Sequence, residues 1–251
     1  MRKTNLQILV AVLALQFATI ASAADLIVSA AASLTNAFAD IGRDFESAHP
    51  GTKVVFNFAG SGQLLQQIAK GAPVDVFASA DQETMDKAES ENLVEAGTRA
   101  DFVRNALVVV VPADSKVSIA SLDDLAKAEL RHVAIGNPDS VPVGRYSKSV
   151  LAASGHWAGL EPKVVNTQNV RQSLDYVARG EVEAAFVYRT DAAILPDKVK
   201  VVLEVPTTRP ILYPIAVLKN APQKDSAKQF VAFVRSDAAQ KILQKYGFGK
   251  P

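Results

Sequence analysis

Four positions in this chain combine a small or polar residue with the expected start of a helix. Ser33 follows the apolar stretch Ile27-Val28-Ser29-Ala30-Ala31-Ala32 and precedes Leu34-Thr35-Asn36; Ser61 sits between Gly60 and Gly62. Pro142-Val143-Gly144 leads into Arg145-Tyr146, and Asn169 precedes Val170-Arg171-Gln172. The first turn of a helix carries backbone N–H groups without intrahelical partners, and its aligned peptide dipoles leave about half a positive charge there. Small residues let an anion approach that backbone, and a serine hydroxyl adds a donor beside the amide. Several such ends facing one point are able to hold a dianion without lysine or arginine. Each also reads as something plainer: Ser33 and Asn169 are common N-caps, and Gly60-Ser61-Gly62 suits an ordinary turn. Tyr188, ending an apolar run, reads equally as a core aromatic with a satisfied hydroxyl.

Other chemistries find less support. The chain has no cysteine and three histidines, His49, His132 and His156, which fall in unrelated segments. A transition-metal site would show clustered His, Cys or carboxylates, and the sequence has no such cluster. Gly60-Ser61-Gly62 lacks the wider pattern of a serine nucleophile elbow. Arg145 is expected in solvent. Arg171, next to Val170, is read first as a surface residue, with two alternatives: it orients groups just behind the ligand contacts, or it pairs with a carboxylate on the lobe surface. Trp157 is read as packing.

The elements around these positions alternate. Leu26–Val28, Lys53–Phe58 and Asp75–Ala78 read as strands, separated by helical patterns on Leu34, Ala37, Phe38, Ile41 and Phe45 and on Leu64, Leu65 and Ile68. The apolar run Leu107–Val111 is followed by a second series: a helix start at Ser121–Leu125, a strand at His132–Ile135 and a helix at Arg145–Leu151. Val164-Val165, Val170–Val177 and Ala184–Val187 continue it as strand, helix and strand. Such alternation predicts an α/β fold with mainly parallel sheets flanked by helices, and the restart of the strand series after Pro112 divides it into two lobes. The runs Leu107–Val111 and Ile211–Leu218 are assigned as connections between the lobes, and one terminal helix is expected over Ser226–Tyr246. The expected boundaries put residues 24–108 and 209–251 in the first lobe and 109–208 in the second.

Residues 1–23 differ from the rest. Arg2 and Lys3 precede an apolar run from Ile8 to Ile20, and Ala21-Ser22-Ala23 has the small-x-small form of a signal-peptidase site. Without a cysteine at the cut, the expected product is a free, soluble, monomeric periplasmic protein with no membrane insertion. Removing Arg2 and Lys3 leaves 25 basic residues against 26 acidic ones, so the mature chain is close to neutral. That balance argues against a nucleic-acid surface. It also means that a bound anion must be held by local geometry.

Blocks along the whole mature chain resemble the periplasmic molybdate-binding proteins of ABC transporters, of the type II periplasmic binding protein fold. They are Ala30–Phe38, Gly71–Asp81, Asn105–Val110, Gly136-Asn137-Pro138 through Pro142–Tyr146, Val187-Tyr188 with Asp191-Ala192, and Tyr246-Gly247-Phe248. The resemblance implies a binding protein without enzymatic activity or cofactor, which captures molybdate, with tungstate as a second ligand, and delivers it to a membrane permease. It places the ligand contacts on the hydroxyls of Ser33, Ser61 and Tyr188 and the amides of Val143 and Val170, with molybdenum held as its oxyanion and no direct cation ligands. Ser33 and Ser61 would come from one lobe and the other three from the second. The chain departs from the family pattern in two ways: Gly60 and Gly62 stand where many relatives have serines, and Val143 replaces a commoner alanine. A receptor for sulfate or another tetrahedral oxyanion is the alternative within the same fold.

Overall fold

A computed structural model describes residues 25–251; the expected signal peptide lies outside them. The chain forms two five-stranded mixed sheets with flanking helices, as the alternation predicts. The first has the order β2 (Val54–Ala59), β1 (Leu26–Ala31), β3 (Val76–Ala78), β10 (Ile211–Val217), β4 (Ala100–Asn105). The second has the order β7 (Val164–Thr167), β6 (Val133–Gly136), β8 (Ala184–Tyr188), β5 (Leu107–Pro112), β9 (Val199–Val205).

The two sheets share one plan. In each, three strands run parallel, and the fourth lies antiparallel between the third and the fifth. That fourth strand arrives from the other sheet: β5 directly follows β4 of the first, and β10 directly follows β9 of the second. The runs Leu107–Val111 and Ile211–Leu218 therefore need correcting. They are interior strands rather than connections, which explains their unbroken apolar character, since both faces of such a strand are covered. The crossovers are Ala106 and the short segment 206–210. Leu107 and Val108, placed with the first lobe from sequence, pair with Tyr188 and Val187 of the second sheet.

Helix α1 (Thr35–Ala48) buries Ala37, Phe38, Ile41, Gly42 and Phe45 on one face, the spacing of an amphipathic helix. Its phenylalanines meet Phe56 of β2, Phe102 of β4 and Phe230 near the C-terminus. A Cβ at Gly42 would stand 2.6 Å from the Phe56 ring, so a larger residue there would have to displace that side chain. The expected single terminal helix is two, Lys224–Val234 and Asp237–Lys245. Ser236 breaks it: its backbone is extended and its hydroxyl accepts from Ala239 N at 3.4 Å, starting the second helix as an N-cap. The second helix returns the chain to the first sheet, where Arg104 and Gly249 exchange main-chain hydrogen bonds. The helix start expected at Ser121 is a 3-10 turn, Leu122–Ala126.

Phe38 is fully buried among three other phenylalanine rings. Phe38→Ala is expected to lower unfolding stability by about 3–5 kcal/mol, measured by urea titration; a loss below about 1 kcal/mol would show that this aromatic cluster does not anchor the C-terminal helices.

Candidate ligand-binding site

The three parallel-paired strands of each sheet point their C-terminal ends at one place. Ser33 follows β1 in a 3-10 turn, Ala32–Leu34; Ser61 opens helix α2 (Ser61–Ala69) after β2, and Ala80 follows β3. From the other sheet, Val143 is the second residue of helix Pro142–Ala153 after β6, Val170 the first of helix Val170–Ala178 after β7, and Tyr188 the last of β8. All of them line one narrow interlobe cavity of about 10 Å³, walled otherwise by Ala31, Ala32, Ala59, Gly60, Val141, Pro142 and Asn169. The carboxyl ends of parallel strands are where α/β folds bind ligands, because the following helices aim their N-termini there. All five residues singled out from sequence are thus brought together.

Their hydrogen bonds separate the caps from the rest. Asn169 is an ordinary N-cap, its side chain accepting from Gln172 N at 3.1 Å. Ser33 and Ser61 cap nothing. Ser61 is fully buried and its oxygen accepts from Ala80 N at 3.1 Å, which leaves its own hydrogen free. Ser33 lies 3.0 Å from the hydroxyl of Tyr213. The amides of Ser33, Ser61, Val143 and Val170 have no acceptor among the described residues. Tyr188, 1% exposed, donates to Ala80 O over a long 3.4 Å. Burial holds its pKa well above the ordinary tyrosine value, so it stays a donor.

Glycines set how closely the halves approach. Gly62 N donates to Ser140 O of the other half at 2.9 Å. A Cβ on Gly62 would stand 2.6 Å from that oxygen, and one on Gly60 would stand 2.7 Å from Gln168 O. Any side chain at either position meets backbone across the cleft. Gly144 has the tightest constraint: its Cβ would fall 1.7 Å from Gly136 O, so the helix start can rest on β6 only without one.

Two arginines cross the cleft: Arg145, expected in solvent, and Arg171, which takes the alternative in which it pairs with a carboxylate and orients groups behind the site. Arg145 donates to Asp81 at 2.8 Å and to Thr84 Oγ1 at 2.6 Å, with its side chain only 16% exposed. Arg171 donates to the buried Asp191 at 2.5 Å, to Asn36 Oδ1 at 2.8 Å and to Ser33 O at 3.3 Å. Each cation beside the cavity thus has a carboxylate of its own. Sequence reasoning named neither carboxylate, though Asp81 and Asp191 both stand within the blocks that carry the family resemblance. Asp191 is fully enclosed and its second oxygen has no partner. Burial raises its pKa to about 6, against the opposing pull of Arg171. No group of three His, Cys or carboxylate side chains able to hold a metal ion occurs among the described residues.

The fold and this donor-lined cleft define the class: the chain belongs to the bacterial extracellular solute-binding proteins, whose family pattern matches residues 26–249. Within that class it belongs to the family of the molybdate-binding protein ModA. It is 34% identical to that protein of Haemophilus influenzae, across 98% of this chain and 97% of the relative. It is also 36% identical to the putative ABC transporter substrate-binding lipoprotein YvgL of Bacillus subtilis, over 89% of this chain and 85% of that one. Among solved structures, the periplasmic molybdate-binding protein of Azotobacter vinelandii superposes with a TM-score of 0.79 at 26% identity, covering 90% of this chain and 99% of that one.

Two outcomes are expected. Gly62→Ala wedges the halves apart, so small-angle scattering should give a larger radius of gyration than the parent protein; equal radii would mean the contact relaxes locally. Asp191 binds its proton more tightly when folded than unfolded. Its contribution to stability is therefore complete below 3.8 and is lost as pH rises through about 6. That shift corresponds to about 3 kcal/mol. Relative to Asp191→Asn, the parent should gain melting temperature as pH is lowered from neutral to about 4, and a pH-independent difference would reject the assignment.

Proposed function

We propose that the protein captures a fully deprotonated tetrahedral oxyanion, molybdate or tungstate, outside the cytoplasm and delivers it to the permease of an ABC transporter. The ligand contacts in this reading are the hydroxyls of Ser33, Ser61 and Tyr188 and the amides of Val143 and Val170. One observation carries it: these five donors line a single cavity, while each neighbouring arginine is occupied by a carboxylate. Molybdate near neutral pH only accepts hydrogen bonds, so a donor-only wall satisfies each oxygen and offsets desolvation. Membership of the molybdate-binding family supports the same ligand. Tungstate, equal in charge and shape, fits the same donors.

The lobes move, in this reading, about Ala106 and segment 206–210. Gly62–Ser140, Arg145–Asp81 and Arg171–Asn36 are the contacts made on closure. Residues 1–23 act as a cleaved export signal, and the closed monomer docks on the permease.

Binding is tested by thermal unfolding. Molybdate at about 100 times its dissociation constant should stabilise the protein by about 2.7 kcal/mol, a rise of several degrees for a chain of this size. Sulfate at the same concentration should give less. Ser33→Ala should weaken molybdate binding by about 1.5–3 kcal/mol in calorimetry. A larger shift with sulfate, or an unchanged affinity in the variant, would overturn the ligand or the residue respectively.

A further inference from the structure

Ser33 is the end of a short chain of hydrogen bonds whose directions follow from elimination. The backbone N–H of Ala106 donates to the Asn105 side chain at 2.9 Å, so the atom it meets is the amide oxygen. The Asn105 Nδ2 group therefore faces the other way, 2.8 Å from Thr190 Oγ1 and 3.2 Å from the hydroxyl of Tyr213. An amide nitrogen only donates, so the Tyr213 oxygen accepts. Tyr213 is fully buried and has one hydroxyl hydrogen to place. The acceptor within reach is Ser33 Oγ at 3.0 Å. Burial also holds the Tyr213 pKa well above its ordinary value, so this hydrogen is permanent. Ser33 accepts from Tyr213, and its own hydrogen turns toward the cavity that it lines.

We propose that Tyr213, oriented by Asn105, is a specificity-determining positioning residue that locks Ser33 as a donor and thereby selects against oxyanions carrying a proton. A free serine hydroxyl is ambivalent, with one hydrogen to give and two lone pairs to accept on. Left unlocked, Ser33 would rotate to accept from the O–H of hydrogen phosphate. With Tyr213 donating to it, a protonated guest sets two hydrogens against each other across one contact. Ser61 is fixed in the same sense by Ala80 N, so both serines present hydrogens. The proposal rests on the oxyanion reading above and adds residues that touch no ligand.

The test compares sulfate with hydrogen phosphate in mildly alkaline buffer. There both are tetrahedral dianions of similar size, and they differ by one proton. Their affinities are measured by competition against molybdate in calorimetry, for the parent protein, Tyr213→Phe and Asn105→Asp. The parent should prefer sulfate. Tyr213→Phe removes the lock, and the sulfate-to-phosphate ratio should fall on the order of tenfold. In Asn105→Asp the introduced carboxylate takes the Tyr213 hydrogen, so the tyrosine oxygen accepts from Ser33 and withdraws the serine hydrogen from the cavity. The ratio should fall there too, because the added charge opposes both dianions alike. A ratio unchanged in both variants, with cooperative melting and molybdate binding retained, overturns the proposal alone. If Tyr213→Phe does not melt cooperatively, Asn105→Asp decides. A parent protein that binds none of the three anions overturns the proposal together with the function it rests on.

Discussion

The structure depends on one constraint: the amides that open a helix cannot be paired inside it. Most proteins spread such ends over their surface, where water satisfies them. Here the starts after β1, β2, β6 and β7 are gathered on a single cavity, and the Ser61, Val143 and Val170 amides find no acceptor among the described residues. Each end carries a positive partial charge, so their convergence is unfavourable unless something negative lies among them. On the side of the first sheet the cavity wall is accordingly made of Ala31, Ala32, Ala59, Gly60 and Ala80 beside the two serines, residues small enough to leave backbone within reach.

The same constraint explains why the arginines are neutralised. An unpaired guanidinium at the cavity edge would attract any anion, whatever its shape or protonation. Pairing Arg145 with Asp81 and Arg171 with Asp191 cancels that general attraction and leaves discrimination to hydrogen-bond geometry. Burying Asp191 opposes folding, as its pKa of about 6 records. Removing one member of such a pair is worse than keeping both, because the partner is left buried and unpaired. Both arginines reach from one half into the other, so the groups that neutralise the field also hold the halves together.

The fold class was legible in the sequence because β-branched runs and helix starts are local signals. Ser33, Ser61, Val143, Val170 and Tyr188, in contrast, were singled out together only by the family resemblance, each alone reading as a cap, a turn or a core residue. Helix Gln82–Ser90 was not read: it buries only Thr84, Met85 and Ala88, too thin a stripe to show a period. Its start signal was present, since Asp81 caps Thr84 N at 3.2 Å. Strands β4 and β9 were missed because their burial follows from the strands inserted beside them, β10 and β5, which come from distant sequence. A second role of Gly60 and Gly62 was not visible for a related reason. In sequence they are serines lost; in space they are the positions where the opposite half leaves no room. Arg145 was assigned to solvent, and the partner of Arg171 was left unnamed, because their carboxylates lie 64 and 20 residues away.

The exchanged strands join the hinge to the site. Asn105 is the last residue of β4, Leu107 the first of β5, and Leu107 pairs directly with Tyr188. Ile211, the first residue after the second crossover, pairs with Asn105, and Tyr213 follows two residues later, beside the register shift that accommodates Pro214. Both tyrosines therefore sit against the crossover strands, while Ser61 and Val170 follow β2 and β7, at the far edges of their sheets. Displacement under rotation grows with distance from the axis. Opening about the crossovers would move Tyr188, Tyr213 and Asn105 least, and would carry Ser61 and Val170 farthest. The part of the wall that sets hydrogen-bond direction is thus the part that closure disturbs least. In the proposed function, selection by proton content would then lie at the end of the cleft nearest the crossovers, and closure would act mostly at the end farthest from them.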